Sequence, residues 1–191
     1  MSATAFDLVI VGVGGQGTLL SSKILGEAAL RENCGVKVSE VHGMAQRGGS
    51  VITHVRVGAQ VRAPLVSLGG ADYVVAFEAL EAARAASFLK KEGVLIVNTQ
   101  EIWPMPVIMG NAPYPSGCLS SVRASHPVQA LDALALATAC GSARAVNLVL
   151  LGALSRHLPW ESAVWEAAIT ACVPPPTLRV NLAAFRAGAQ G

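Results

Sequence analysis

Two glycine-rich stretches hold most of the residues in this sequence that could do chemistry. Gly12-x-Gly14-x-x-Gly17 follows a short apolar run. Glycines at that spacing let backbone N–H groups approach a phosphate at a helix start, where the helix dipole also favours an anion. Glu40 comes 23 residues after Gly17, close to where a dinucleotide fold places its ribose-binding acid. A nicotinamide cofactor is therefore one reading, and a tight turn that binds nothing is another. The stretch also has the outer glycines of a P-loop, but Thr18 occupies the lysine position, which argues against nucleoside triphosphate hydrolysis. The second stretch is His42-Gly-Met-Ala-Gln-Arg-Gly-Gly-Ser50. An arginine among glycines can present its fork to a carboxylate or phosphate with the backbone out of the way. Arg47, flanked by Gly48 and Gly49, is a candidate contact on that ground. His42 is either an acid–base group or an ordinary loop histidine.

Other chemistries lack their residues. G-x-S-x-G, H-x-E and H-E-x-x-H are absent, so no nucleophile elbow or zinc-hydrolase motif is legible. The cysteines, Cys34, Cys118, Cys140 and Cys172, form no C-x-x-C pair, so no metal or iron–sulfur site built by this chain alone is expected. The basic residues are scattered and net charge is only +2, which speaks against nucleic acid as a partner. Glu78, Glu81 and Arg84 have helix spacing and read as a solvated or partner-facing edge. Asn147 lies in an apolar stretch and needs a hydrogen-bond partner if buried.

The elements that must position these residues follow from periodicity. Phe6–Val11 is a buried strand and the residues after Gly17 recur every four as a helix, ending near Asn33-Cys34-Gly35, with glycine supplying the left-handed exit. A strand over Val36–Val41 completes what reads as a parallel pair with a right-handed crossover. Ser50–Val57 alternates, and Gly58-Ala-Gln60 suggests a hairpin toward Val61 and Arg62, which makes the sheet mixed. Strands over Tyr73–Phe77 and Val94–Val97 flank an Ala-rich helix from Glu78 to Leu89. A long loop rich in Pro and Gly runs from Gln100 to Ser121. Helices are expected over Pro127–Cys140, Ala143–Arg156, Glu161–Cys172 and Pro176–Ala187. The 191 residues thus form a single domain: a three-layer α/β/α Rossmann-like fold with a mixed, mostly parallel sheet and a helical C-terminal third.

Hydrophobic residues make up 52% and charged residues 14%, with a mean hydropathy of +0.50. No apolar run is long enough to span a membrane, and no leader segment is visible, so a cytoplasmic protein is expected. Alanine, at 32 positions, inflates the hydropathy. The remainder fits a surface covered by a partner.

Val9–Gly17 followed by Glu40–Val51 resembles the gamma-type domain of the 2-oxoacid:ferredoxin oxidoreductases, and within that family the beta subunit of the indolepyruvate enzymes. Gly70-Ala71-Asp72, Glu78 with Glu81, Asn98-Thr99, Tyr114-Pro115, Asn147 with Leu151–Leu154, Asn181 and Gly188 extend the resemblance along nearly the whole chain. It implies a non-redox subunit of a hetero-oligomer. Thiamine diphosphate and [4Fe-4S] clusters would reside in a larger alpha subunit, with coenzyme A as co-substrate, ferredoxin as acceptor and an aryl-acetyl-CoA as product. Gly12, Gly14, Gln16, Gly17, Thr18, Arg47, Gly48 and Gly49 would then contact coenzyme A phosphates or the cofactor-bearing subunit. The chain departs from the family pattern at Gly141-Ser142, where Gly-Asn is common, and at Thr177-Leu178, where a lysine is frequent. A stand-alone nicotinamide oxidoreductase and a ligand-free assembly module remain the alternatives.

Overall fold

The computed structural model describes residues 4–43 and 49–191; Arg47 and Gly48 lie outside them. Strand β1 (Phe6–Val13) is buried on both faces because its side chains are apolar at nearly every position. Leu8 and Ile10 point into one core and Val9 and Val11 into another, as the two-residue period of a strand requires. Helix α1 (Thr18–Arg31) follows the glycine turn. Asn33, with φ 56°, takes the left-handed exit conformation expected of Gly35, which lies instead in β2 (Gly35–His42). Strand β3 (Ser50–Gly58) pairs antiparallel with both β2 and β1.

That pairing corrects two expectations. Strands β1 and β2 are not neighbours: β3 lies between them, and β2 is a sheet edge. The hairpin of β3 is formed with the strand before it, not with Val61 and Arg62. Alternation identifies a strand but not its partner, and the β2–β3 register pairs eight residues from Gly35↔Gly58 to His42↔Val51.

Beyond β1 the sheet is parallel. Strands β4 (Ala71–Ala76), β5 (Leu89–Asn98) and β6 (Val128–Leu131) follow in the order β2-β3-β1-β4-β5-β6. Between them come α2 (Ala79–Ala85) and the short helices α3 (Met105–Ile108) and α4 (Cys118–Arg123). The helix expected over Pro127–Cys140 is divided: Val128–Leu131 pairs with β5, and α5 (Ala133–Ala139) begins only after Asp132, whose carboxylate accepts from Ala135 N at 2.9 Å. A strand of four residues before a capped helix leaves little periodic trace.

Helices α6 (Val146–Ser155), α7 (Ser162–Cys172) and α8 (Leu178–Gln190) match expectation. With α1 they cover one face of the sheet, and α2 and α4 cover the other, which gives the three layers. Trp160 and Trp165 are buried, with ring centroids 5.4 Å apart. Among the described residues no helix is long and apolar enough to cross a membrane.

His54, buried in β3, accepts a hydrogen bond from Val66 N at Nδ1, 3.3 Å away, and meets the Phe88 ring edge-on. Burial holds its pKa below the usual 6.5, so the folded chain keeps it neutral while the unfolded chain protonates it. The stability it contributes is present above pH 6.5 and lost as pH falls below it, with a slope of at most about 1.4 kcal/mol per pH unit. Denaturant titrations at stepped pH should show this acid loss, and His54→Gln should flatten it. His157, whose pKa is lowered first by desolvation and then by Arg156, is exposed at the surface, so solvent screening keeps its share of the slope small.

Candidate functional site

The chain leaves β1 through α1 toward one edge of the sheet and leaves β4 through α2 toward the other. The carboxyl ends of β1 and β4 therefore flank a crevice, the usual place for a site in an open α/β sheet. The Gly12–Gly17 turn lies there, and so does the amino end of β3, because Val13 is paired with Ser50. The sequence thus brings the two glycine stretches to one end of the sheet.

Within the turn the candidate residues have different tasks. Gln16 folds back: its Oε1 accepts from Val13 N at 2.6 Å and its Nε2 reaches Phe77 O at 3.5 Å. Gly12 makes room for that, since a Cβ there would stand 2.8 Å from Gln16 Oε1 and 3.0 Å from Phe77 Cβ. Gly14 N donates to Gly49 O at 2.9 Å, which ties the turn to the residue that precedes β3. Gly15 and Gly17 take φ of 100° and 90°, a region that favours glycine. Thr18 opens α1 and is buried. His42 is exposed at the end of β2, its Nδ1 3.2 Å from Gly43 O. Asn98 joins the elements behind the crevice, donating to Phe77 O at 3.1 Å and accepting from Ala133 N at 3.0 Å.

Beside the turn is a cavity of about 700 Å³ whose wall includes Gly15, Gly17, Leu134, Arg144, Asn147 and Asn181. Its size suits a small-molecule site. It is framed by the first turns of α1, α6 and α8, none of which has an acidic residue there or a side-chain N-cap bond. Among the described residues no Asp or Glu lines it. The members of this wall are up to 166 positions apart in the chain, from Gly15 to Asn181, and only the Gly12–Gly17 turn and Asn147 within an apolar stretch signal it locally.

The acidic pair corrects a further expectation. Glu78 and Glu81 are buried, at 1% and 4% exposure, not a solvated edge. Glu78 caps α2 through Glu81 N, and its other oxygen faces Ile102 N at 3.5 Å and Tyr114 OH at 3.4 Å. Glu81 accepts from Ser50 Oγ and from Arg84 Nη1 at 2.5 Å. Burial, with the Glu81 charge adding to it, raises the Glu78 pKa against the backbone N–H groups that lower it. Burial first, and Glu78 second, push the Tyr114 hydroxyl and the Cys118 thiol upward as well. The pair anchors both the start of β3 and the loop after β5 to α2. Helix spacing announced the two acids but could not show that Ser50 and Tyr114 close over them.

Glu40 is exposed on the edge strand, where Thr53 Oγ1 donates to it at 3.2 Å. With β3 interposed it stands two strand spacings, about 10 Å, from β1. A ribose bound at the Gly12–Gly17 turn would need its acid one strand away. The insertion of β3 therefore removes the ribose contact on which the nicotinamide alternative relied.

The family model described as pyruvate ferredoxin/flavodoxin oxidoreductase matches residues 7–191. The chain is 41% identical over 191 residues to the indolepyruvate oxidoreductase subunit IorB of Thermococcus kodakarensis, covering 96% of this chain and 94% of that protein. Among solved structures it resembles pyruvate oxidoreductase subunit PORC of Thermotoga maritima, with a TM-score of 0.74 at 23% identity over 97% and 96% of the two chains. It also resembles part of the 2-oxoglutarate:ferredoxin oxidoreductase of Magnetococcus marinus, determined with 2-oxoglutarate, coenzyme A and succinyl-CoA bound. There the TM-score is 0.70 at 18% identity, and the match covers 97% of this chain and 30% of that one. At these identities the structural likenesses speak for the fold alone.

Proposed function

We propose a function from this premise: the chain belongs to the pyruvate ferredoxin/flavodoxin oxidoreductase family. It is a subunit of a 2-oxoacid:ferredoxin oxidoreductase complex. Within that complex it acts as the non-redox beta subunit of an enzyme for indolepyruvate or a related arylpyruvate, in the cytoplasm. A larger alpha subunit carries thiamine diphosphate and the [4Fe-4S] clusters and passes electrons to ferredoxin. Thiamine diphosphate, in the partner, supplies the carbanion chemistry of decarboxylation. This chain helps bind coenzyme A, which accepts the aryl-acetyl group. The supporting observation is the cavity at the carboxyl end of the sheet, bounded by the first turns of α1, α6 and α8 and lined, among the described residues, by no carboxylate. Such a wall suits the phosphates of coenzyme A. Gly12, Gly14, Gln16, Gly17 and Thr18 shape the turn beside it. Arg47, Gly48 and Gly49 follow in the loop that Gly49 O ties to Gly14 N.

The larger subunit covers the apolar crown next to the cavity. Trp103 is 56% exposed, with Met105, Ile108 and Met109 also exposed beside it in the chain, and Ile102 of the same segment lines the cavity. Large apolar groups in such a cluster mark an interaction surface, and a buried tryptophan is a common anchor. Co-purification of the tagged chain with a larger protein bearing thiamine diphosphate and iron–sulfur clusters tests the assignment. Trp103→Asp should weaken that association about tenfold or more, and retention at the wild-type level would count against the surface.

A further inference from the structure

The geometry points to Glu78 as a positioning residue for the apolar loop that carries Trp103: one oxygen of its carboxylate fastens both ends of that loop to α2. Ile102 N and Tyr114 OH both donate to Oε2, from 3.5 and 3.4 Å. Between these two points, Trp103, Met105, Ile108 and Met109 are each more than half exposed. The loop is bonded mainly to itself. Val107 N and Ile108 N donate to Pro104 O, Met109 N to Met105 O and Asn111 N to Pro106 O, at 2.8 to 3.1 Å. Its hydrogen bonds to the rest of the chain, among the described residues, lie at its base: those to Glu78, and just before them Gln100 O, which accepts from Ala79 N at 3.0 Å. A compact surface loop closed at its base is a common form for a functional segment.

Capping α2 does not by itself call for a glutamate. Oε1 serves as the cap by accepting from Glu81 N, a task for which Ser, Thr, Asp and Asn are the favoured residues. Glu78 is buried to 1% exposure, and that burial raises its pKa, so its charged form is kept at a cost to the fold. A shorter cap would avoid much of that cost. What the longer arm adds is Oε2, placed where the chain enters the loop and where it leaves. A loop already ordered in the free chain gives up less freedom when a partner covers it, and such ordering strengthens binding.

The role of Glu78 rests on the function proposed above for the identity of the partner, the larger subunit, but not for the order of the loop in the free chain. Two measurements on the full chain separate these: hydrogen exchange of the amides from Ile102 to Tyr114, and affinity for the larger subunit. Glu78→Asp keeps the charge and the cap of α2 but shortens the arm, and Tyr114→Phe removes only the hydroxyl. Each should speed exchange in the loop about tenfold, with the strands protected as in wild type. Each should also weaken association about three- to tenfold. In a Trp103→Asp background neither should weaken it further, because the lost order acts through the apolar loop. Additional weakening in that background would assign the effect to general stability and overturn the proposal. Unchanged exchange in both variants overturns it, as does faster exchange with undiminished affinity. If no larger subunit binds wild type, the assignment to that complex falls, while faster exchange confined to the loop still supports Glu78 as the residue that orders it.

Discussion

Gly188→Ala is expected to destabilise the chain by about 3–5 kcal/mol, beyond ordinary overpacking, and to lower its denaturant midpoint accordingly. A Cβ at Gly188 would stand 1.9 Å from Val149 O, and one at Gly152 would stand 2.0 Å from Phe185 O. Both obstacles are backbone atoms of the facing helix, so no side chain can rotate away, and α6 and α8 would have to separate along their crossing. These helices also carry Asn147 and Asn181 to the cavity wall. The variant should therefore loosen the site as well as the core. A cost below about 1 kcal/mol would mean that the two helices do not cross this closely.

Arg47→Ala is expected to reduce coenzyme-A-dependent turnover of the assembled complex about a hundredfold, with the subunits still co-purifying. The prediction follows from the end of its segment. Gly49 O accepts from Gly14 N, and Ser50 is held by buried Glu81, so the chain lies at the crevice two residues after Arg47. Losing one charged contact to a phosphate is worth roughly 2–3 kcal/mol, which corresponds to that factor. Loss of the complex instead would assign Arg47 to the subunit interface, and unchanged kinetics would remove it from both tasks.

How much of this was legible in the sequence depended on how local each feature is. Strand β1, the glycine turn and α6 to α8 follow from apolar spacing within a few turns of chain, and each is where periodicity puts it. The position of β3 is a choice of partner, made across the sheet, and the alternation of Val51, Thr53, Val55 and Val57 contains no record of it. The same limit hid the burial of Glu78, since the covering groups come from Ile102 and Tyr114. Two departures from the resembled family gain meaning only in three dimensions: Ser142 and Thr177, about 35 residues apart in the chain, both line the cavity. Substitutions at those positions alter the wall of the site, which makes them the natural places to look for differences in ligand preference.

The proposed role requires that the larger subunit depend on this chain. The direct measurement is anaerobic reduction of viologen or ferredoxin by the larger thiamine diphosphate subunit, with indolepyruvate and coenzyme A, before and after addition of this chain. The larger subunit alone should show little coenzyme-A-dependent reduction, and stoichiometric addition of this chain should restore it. A larger subunit that turns over equally fast without the chain would contradict that role.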